Sequence, residues 1–209
     1  MKNYKHIIFD LDGVLINSKK NMRVSWQATS SRFNLNVAFK NYFSKIGIPF
    51  EKILQALDLD IPKNKIKSIT EHYSKISIKN FWNINLYPDV KETLNTLRKK
   101  NIIHSVVTSK DLKRSKLVMK KFGLKFFSFY SASLRKPGKP NPRLILDCIK
   151  NSKIEKKNTC YVGDTEIDFI SAKRAKIDFI HASYGYGKTK KKTKNIRCLK
   201  NILRYIPHD

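Results

Sequence analysis

Acidic side chains are scarce in this chain: 16 Asp and Glu stand against 44 Lys and Arg, for a formal net charge of +28. A field of that sign draws in anionic substrates and speeds their encounter at low salt. Lysine far outnumbers arginine, Lys, Asn and Ile are abundant, and Ala and Gly are few, as an AT-rich coding sequence would give. The lysines are scattered through almost every segment instead of forming one face. The charge therefore reads first as compositional, with nucleic-acid binding as the second reading. Cysteine is also rare. Three residues, Cys148, Cys160 and Cys198, are odd in number and widely spaced. They suit free thiols in a reducing cytosol and exclude both a disulfide framework and a zinc pattern. The five histidines show no metal spacing. No run approaches the roughly 18 apolar residues of a membrane span. The apolar stretch after MKNYKH is too short for a signal peptide. A soluble, cytoplasmic protein without membrane contact is expected.

What the sequence does have is enough apolar residues, 41%, to bury a core. His6-Ile7-Ile8-Phe9 is a short apolar run ending at Asp10 and reads as a buried strand. Residues 17–83 follow a helical period, with Trp26, Phe33, Tyr42, Phe43, Leu54, Ile69 and Tyr73 spaced for packed faces and Pro49 and Pro62 suited to helix starts. Strand and helix then alternate. A helix is expected over 90–100, a strand over 102–107, and a helix capped by Asp111 and stopped at Gly123. Further strands are expected over 126–130, 159–162 and 178–180. A last helix would carry Ile196, Leu199, Ile202 and Leu203. The tract over 188–194 reads as a solvated loop, and Gly185 and Gly187 as residues that shape a loop. The alternation predicts an α/β fold: a Rossmann-like three-layer core with a parallel sheet, residues 1–16 and 84–209, interrupted by an all-helical insert at 17–83.

Ligands of an open parallel sheet bind beyond the carboxyl ends of its strands. Asp10, Asp12 and Gly13 follow the first strand, and Thr108 and Ser109 end the second. Lys136 and Lys139 lie in the loop after the third. Asp164 follows the fourth, with Asp168 one helical turn on. Carboxylates crowded at low dielectric repel each other, and a hard divalent cation resolves that repulsion. Magnesium suits oxygen ligands together with a substrate phosphate. A lysine and a hydroxyl beside it would hold phosphoryl oxygens, so the set points to phosphoryl transfer. Each residue alone has a plainer reading. Asp10 and Asp12 suit a turn, Asp164 a helix cap, Asp168 a solvated helix, and Lys139 a surface lysine for which Lys136 would substitute.

Taken together, FDLDGVL, VVTS, GKPNP and VGDTEID resemble the four motifs of the haloacid dehalogenase superfamily phosphatases. LYPDV, FGL and YGYG are similar to its phosphoglycolate phosphatase-like branch. Asn17-Ser18 stands where that branch often has an Asp-Ser pair. The resemblance implies a Mg²⁺-dependent phosphatase acting on a small anionic phosphorylated substrate. Asp10 is then the nucleophile and Asp12 the acid–base residue. Thr108, Ser109 and Lys139 bind phosphate. Asp10, the Asp12 backbone carbonyl and Asp164 hold the metal, and Asp168 orients that shell. The insert becomes a helical cap with hinges near 17–18 and 83–87. A sugar phosphomutase of the β-phosphoglucomutase type shares the layout, and a nucleic-acid end phosphatase would use the same core. A cap of this size is expected to exclude a polymer.

Overall fold

The computed structural model describes residues 2–133, 136–189 and 191–207. Strand β1 (His6–Phe9) is followed by the two-residue strand β2 (Ile16–Asn17) and by helices α1 (Lys19–Arg32), α2 (Phe39–Phe43), α3 (Phe50–Ala56) and α4 (Lys63–Lys79). A short strand, β3 (Asn85–Leu86), leads into the alternating half. There follow α5 (Val90–Lys99), β4 (Ile103–Asp111), α6 (Leu112–Phe122), β5 (Phe129–Ala132), α7 (Arg143–Ser152), β6 (Thr159–Gly163), α8 (Glu166–Ala175), β7 (Asp178–Ala182) and β8 (Lys194–Ile196).

Six strands pair in parallel in the order β5-β4-β1-β6-β7-β8. All four residues of β1 are buried, as a strand covered on both faces must be. Its side chains alternate between two cores with the period of a strand. Ile7 and Phe9 pack with Leu94, Leu97, Leu199 and Ile202 on one side. Ile8 packs with Leu144, Ile145, Tyr161 and Ala172 on the other. The register decides what reaches the rim. Phe9 lies opposite Val106 of β4 and Val162 of β6. Asp10 is one residue beyond that line, and Thr108 and Asp164 are each two beyond it. One edge thus receives all three.

Helices α1 to α4 form a separate apolar cluster around Trp26, Tyr42, Phe50 and Tyr73. Trp26 stacks on Tyr42 with centroids 4.5 Å apart, and Phe50 on Tyr73 at 4.1 Å. Pro49 and Pro62 precede α3 and α4, where a missing N–H costs nothing. Asn21 ties α1 to α4 by donating to the Ser77 and Asn80 carbonyls, both at 2.9 Å. The chain enters and leaves this layer side by side, because β2 and β3 pair antiparallel, Ile16 against Leu86.

Three expectations shift. The third strand spans Phe129–Ala132, not 126–130, since Phe129 is the residue opposite Val106. The last helix is a 3-10 helix over Leu199–Tyr205. Leu199 and Ile202, three apart, share a face at three residues per turn. Ile196 instead belongs to β8, which begins at Lys194 within the lysine tract and pairs with β7. Lys190 of that tract lies outside the described residues. Asp111 does cap α6, its carboxylate accepting from the Arg114 N–H at 3.0 Å, and Gly123 closes the helix at φ +64°. No described helix is long and apolar enough to cross a membrane.

His6 gives the fold a dependence on pH. Its ring sits wholly buried, 3.0 Å from the Ser105 hydroxyl and 3.9 Å from the Cys148 sulfur. Burial, followed by the charge of nearby His104, lowers its pKa from 6.5 to about 4. A depressed folded-state pKa gives stability that is present above pH 6.5 and lost as pH falls toward 4. His6 alone is expected to cost up to about 3 kcal/mol over that window. Urea unfolding at pH 7 and pH 4.5 measures it, and His6→Gln is expected to flatten the profile. An equal slope in both proteins contradicts the assignment.

Candidate active site

Asp10 leaves the sheet where the ladder ends, its N–H donating to the Val162 carbonyl at 2.9 Å. The residue is 4% exposed. Lys139 arrives from the β5–α7 loop, fixed by its backbone N–H donating to the Ser109 hydroxyl at 3.2 Å. Its ammonium lies 2.8 Å from Asp10 Oδ1 and 2.5 Å from Asp168 Oδ1, with the side chain 1% exposed. Asp168 is the third residue of a capping box at the start of α8. Its Oδ2 accepts from the Asp164 and Thr165 N–H groups and from the Thr165 hydroxyl, at 3.2, 3.0 and 2.7 Å. Both of its oxygens are therefore engaged by the protein.

Asp164 is fully buried. Its Oδ2 accepts the Tyr186 N–H at 2.6 Å, whereas Oδ1 has no hydrogen-bond partner. Gly13 and Gly185 press against it from two sides. A Cβ at either would collide with the Asp164 side chain, and Gly13 also holds φ +86°. A backbone this close to a carboxylate needs glycine. Gly185 thus walls the site as well as shaping a loop.

Carboxylate oxygens of Asp10, Asp164 and Asp168 lie within 4.8 Å of one another. Burial lifts the Asp10 pKa to about 7, against the pull of Lys139 and with a push from Asp168. Asp164 is held well above the usual carboxylate range by burial and then by Asp168 and Asp10. Burial alone would lower the Lys139 pKa, but the two aspartates more than reverse this and raise it. The free oxygen of Asp164 beside Asp10, in an all-carboxylate donor set, fits a hard divalent cation.

The Asp12 carboxylate stands apart from this cluster. It accepts from Ser18 Oγ and from Lys110 Nζ, the latter at 3.0 and 3.2 Å to its two oxygens. Thr108 is buried, its hydroxyl accepting the Lys110 N–H at 3.2 Å. Lys110 is not among the residues expected from the sequence; it follows Thr108 where the pairing of β4 with β5 is irregular, so strand alternation does not point to it. Tyr186, within the YGYG segment, closes the other side. Its hydroxyl accepts the Ser18 N–H at 2.5 Å and donates to the Ile16 carbonyl at 3.2 Å.

Between these groups and the helical layer lies a cavity of about 60 Å³, roofed by Tyr42, Ile48, Phe50 and Tyr73 and bordered by Arg114. A wider groove of about 900 Å³ adjoins it along α3 and the β5–α7 loop. The surrounding residues can neutralise a phosphoryl group and present a carboxylate to it.

Comparison with known proteins finds relatives over most of the chain. The haloacid dehalogenase-like hydrolase family model matches residues 7–182. A phosphoglycolate phosphatase of Haemophilus influenzae is 31% identical over 196 residues, covering 88% of this chain and 87% of the relative. Pyrophosphatase PpaX of Oceanobacillus iheyensis is 27% identical over 173 residues, covering 82% and 79%. The crystal structure of a predicted phosphoglycolate phosphatase from Haemophilus somnus superposes with a TM-score of 0.84 at 25% identity, covering 98% of each chain.

Proposed function

The chain belongs to the haloacid dehalogenase-like hydrolase family, and we propose that it is a magnesium-dependent phosphatase that hydrolyses a small phosphomonoester, of the phosphoglycolate or sugar phosphate type, through an aspartyl-phosphate. The observation that carries this reading is the burial of Asp10, Asp164 and Lys139 around one small cavity at the strand ends. Relatives named for phosphoglycolate and for pyrophosphate support a phosphorylated substrate of low mass.

Asp10 attacks phosphorus in line, and the ester P–O bond breaks as the carboxylate–phosphorus bond forms. Asp12 gives the departing alcohol its proton. It then takes a proton from the water that hydrolyses the aspartyl-phosphate. Such acid–base help is worth ~10²–10⁴-fold. Lys110 and the Ser18 hydroxyl fix the direction of the Asp12 carboxylate. Lys139, Thr108 and Ser109 take the phosphoryl oxygens, and Asp168 holds Lys139 upright. Asp10, the Asp12 backbone carbonyl and Asp164 would hold Mg²⁺, with Asp168 ordering the loop behind them. The ion, when bound, offsets charge between the nucleophile and the phosphate. Residues 17–83 act as a cap hinged at β2 and β3, and closing it excludes water and polymers alike.

Chelation followed by Mg²⁺ addition tests the reading twice. Release of p-nitrophenol from p-nitrophenyl phosphate is expected to vanish with chelator and return with Mg²⁺. A ligand present at 100 times its Kd stabilises the fold by about 2.7 kcal/mol, so the melting temperature is expected to rise in parallel. Hydrolysis that ignores both treatments would sink the proposal.

A further inference from the structure

Arg114 is a cation in the cavity wall that the proposed chemistry does not use. It lies in the first turn of α6, and its side chain is 12% exposed. Asp111 fixes it twice, accepting the Arg114 N–H at one oxygen and Nε–H at the other. Its guanidinium carbon lies 5.1 Å from the centroid of the Tyr73 ring. Among the described residues, Asp111 is the carboxylate paired with it, through Nε. The Nη edge is therefore left without a carboxylate partner. Burial alone would lower its pKa, but Asp111 and then Tyr73 raise it, so the group stays charged. Tyr73 also hydrogen-bonds the Arg114 side chain, but among the described residues no second carboxylate pairs with it, and a rigid, charged fork of this kind matches a carboxylate or a phosphate in geometry.

Its position fits that use. Arg114 borders both the small cavity that holds Asp10 and Lys139 and the wider groove outside it. The alcohol portion of a substrate must cross that boundary once its phosphoryl group is seated at Asp10. Tyr42 and Tyr73, whose hydroxyls are 2.7 Å apart, line the same passage. They offer a further polar contact but no charge. The two lysines that line the cavity are occupied: Lys139 by Asp10 and Asp168, and Lys110 by Asp12.

Resting on the phosphatase reading, we propose that Arg114 recognises a second anion on the leaving group, so that the preferred substrates are short phosphomonoesters carrying a carboxylate or a second phosphate near the ester. Two matched pairs separate these sources: phosphoglycolate against ethyl phosphate, and a short diol bisphosphate against its monophosphate. For wild type, kcat/KM is expected to favour the anionic member of at least one pair. In Arg114→Met that ratio is expected to fall on the order of 10²-fold, the scale of one lost buried charge contact. Arg114→Lys keeps the charge without the fork and should give an intermediate ratio, carried mainly in KM. A ratio unchanged in Arg114→Met means a structural role and overturns the proposal. So does a wild-type enzyme without preference in either pair, which is read on the unaltered protein. Absence of hydrolysis of every ester, p-nitrophenyl phosphate included, overturns the phosphatase reading itself.

Discussion

Asp10→Asn is expected to lower kcat on the order of 10⁴-fold or more while leaving the fold intact. Asparagine keeps the shape of the side chain but is no nucleophile toward phosphorus, and no neighbour can replace it. Asp164 has Oδ2 held by the Tyr186 N–H and Oδ1 proposed for the metal, both Asp168 oxygens are bound within the protein, and the Asp12 carboxylate is turned toward Lys110. The fold should tolerate the change because Lys139 keeps Asp168 as its counter-charge. One of three crowded carboxylates also becomes neutral, which removes repulsion from Asp164. Phosphate release and acid-quench trapping of a phosphoenzyme measure the outcome. Turnover at the wild-type rate in Asp10→Asn would refute Asp10 as the nucleophile.

How far the site was legible in advance depends on the range of the contacts that make it. Asp10, Thr108 and Asp164 stand one or two residues past runs that read as buried strands. The parallel pairing of β4, β1 and β6 then brings them to one rim without further information. Asp111 as a cap and Gly123 as a stop follow from local backbone needs in the same way. Lys110 is different. Its partner Asp12 is 98 residues away, and in a chain this rich in lysine nothing local separates it from a surface residue. Gly185 fails for the same reason: its neighbour is the Asp164 side chain, which only the tertiary fold supplies. Strand β8 was hidden by composition. Its three residues include a lysine and an asparagine, and pairing along the edge of β7 places them. Nothing local marks Arg114, because α6 reads as an ordinary amphipathic helix. Only the packing of α4 over its first turn encloses that one position.

Lys139→Met is expected to damage stability and turnover together. The ammonium is 1% exposed and stands between Asp10 and Asp168, so its removal leaves two buried carboxylates without their counter-charge. Breaking a buried pair from one side costs about 3–5 kcal/mol, or on the order of 10 °C in melting temperature for a domain of this size. The cost depends on pH in a definite direction. Asp10 already titrates near 7 with Lys139 beside it, and Lys139 is what pulls that value down. Without the lysine, Asp10 protonates at still higher pH. A raised folded-state pKa means that stability is lost as pH rises through it, so the variant should be worst above pH 7 and recover toward pH 6. The same protonation removes the nucleophile at neutral pH, adding to the loss of a phosphoryl-binding charge. Lys136 provides the comparison. It sits at the surface, 51% exposed and 3.6 Å from Asp147, so Lys136→Met should stay within about 0.5 kcal/mol of wild type and keep its activity. Urea unfolding of both variants from pH 6 to 8, with kcat measured alongside, decides between the two lysines. Equal behaviour of the two variants would mean that Lys139 is not the charge that holds the acidic cluster together.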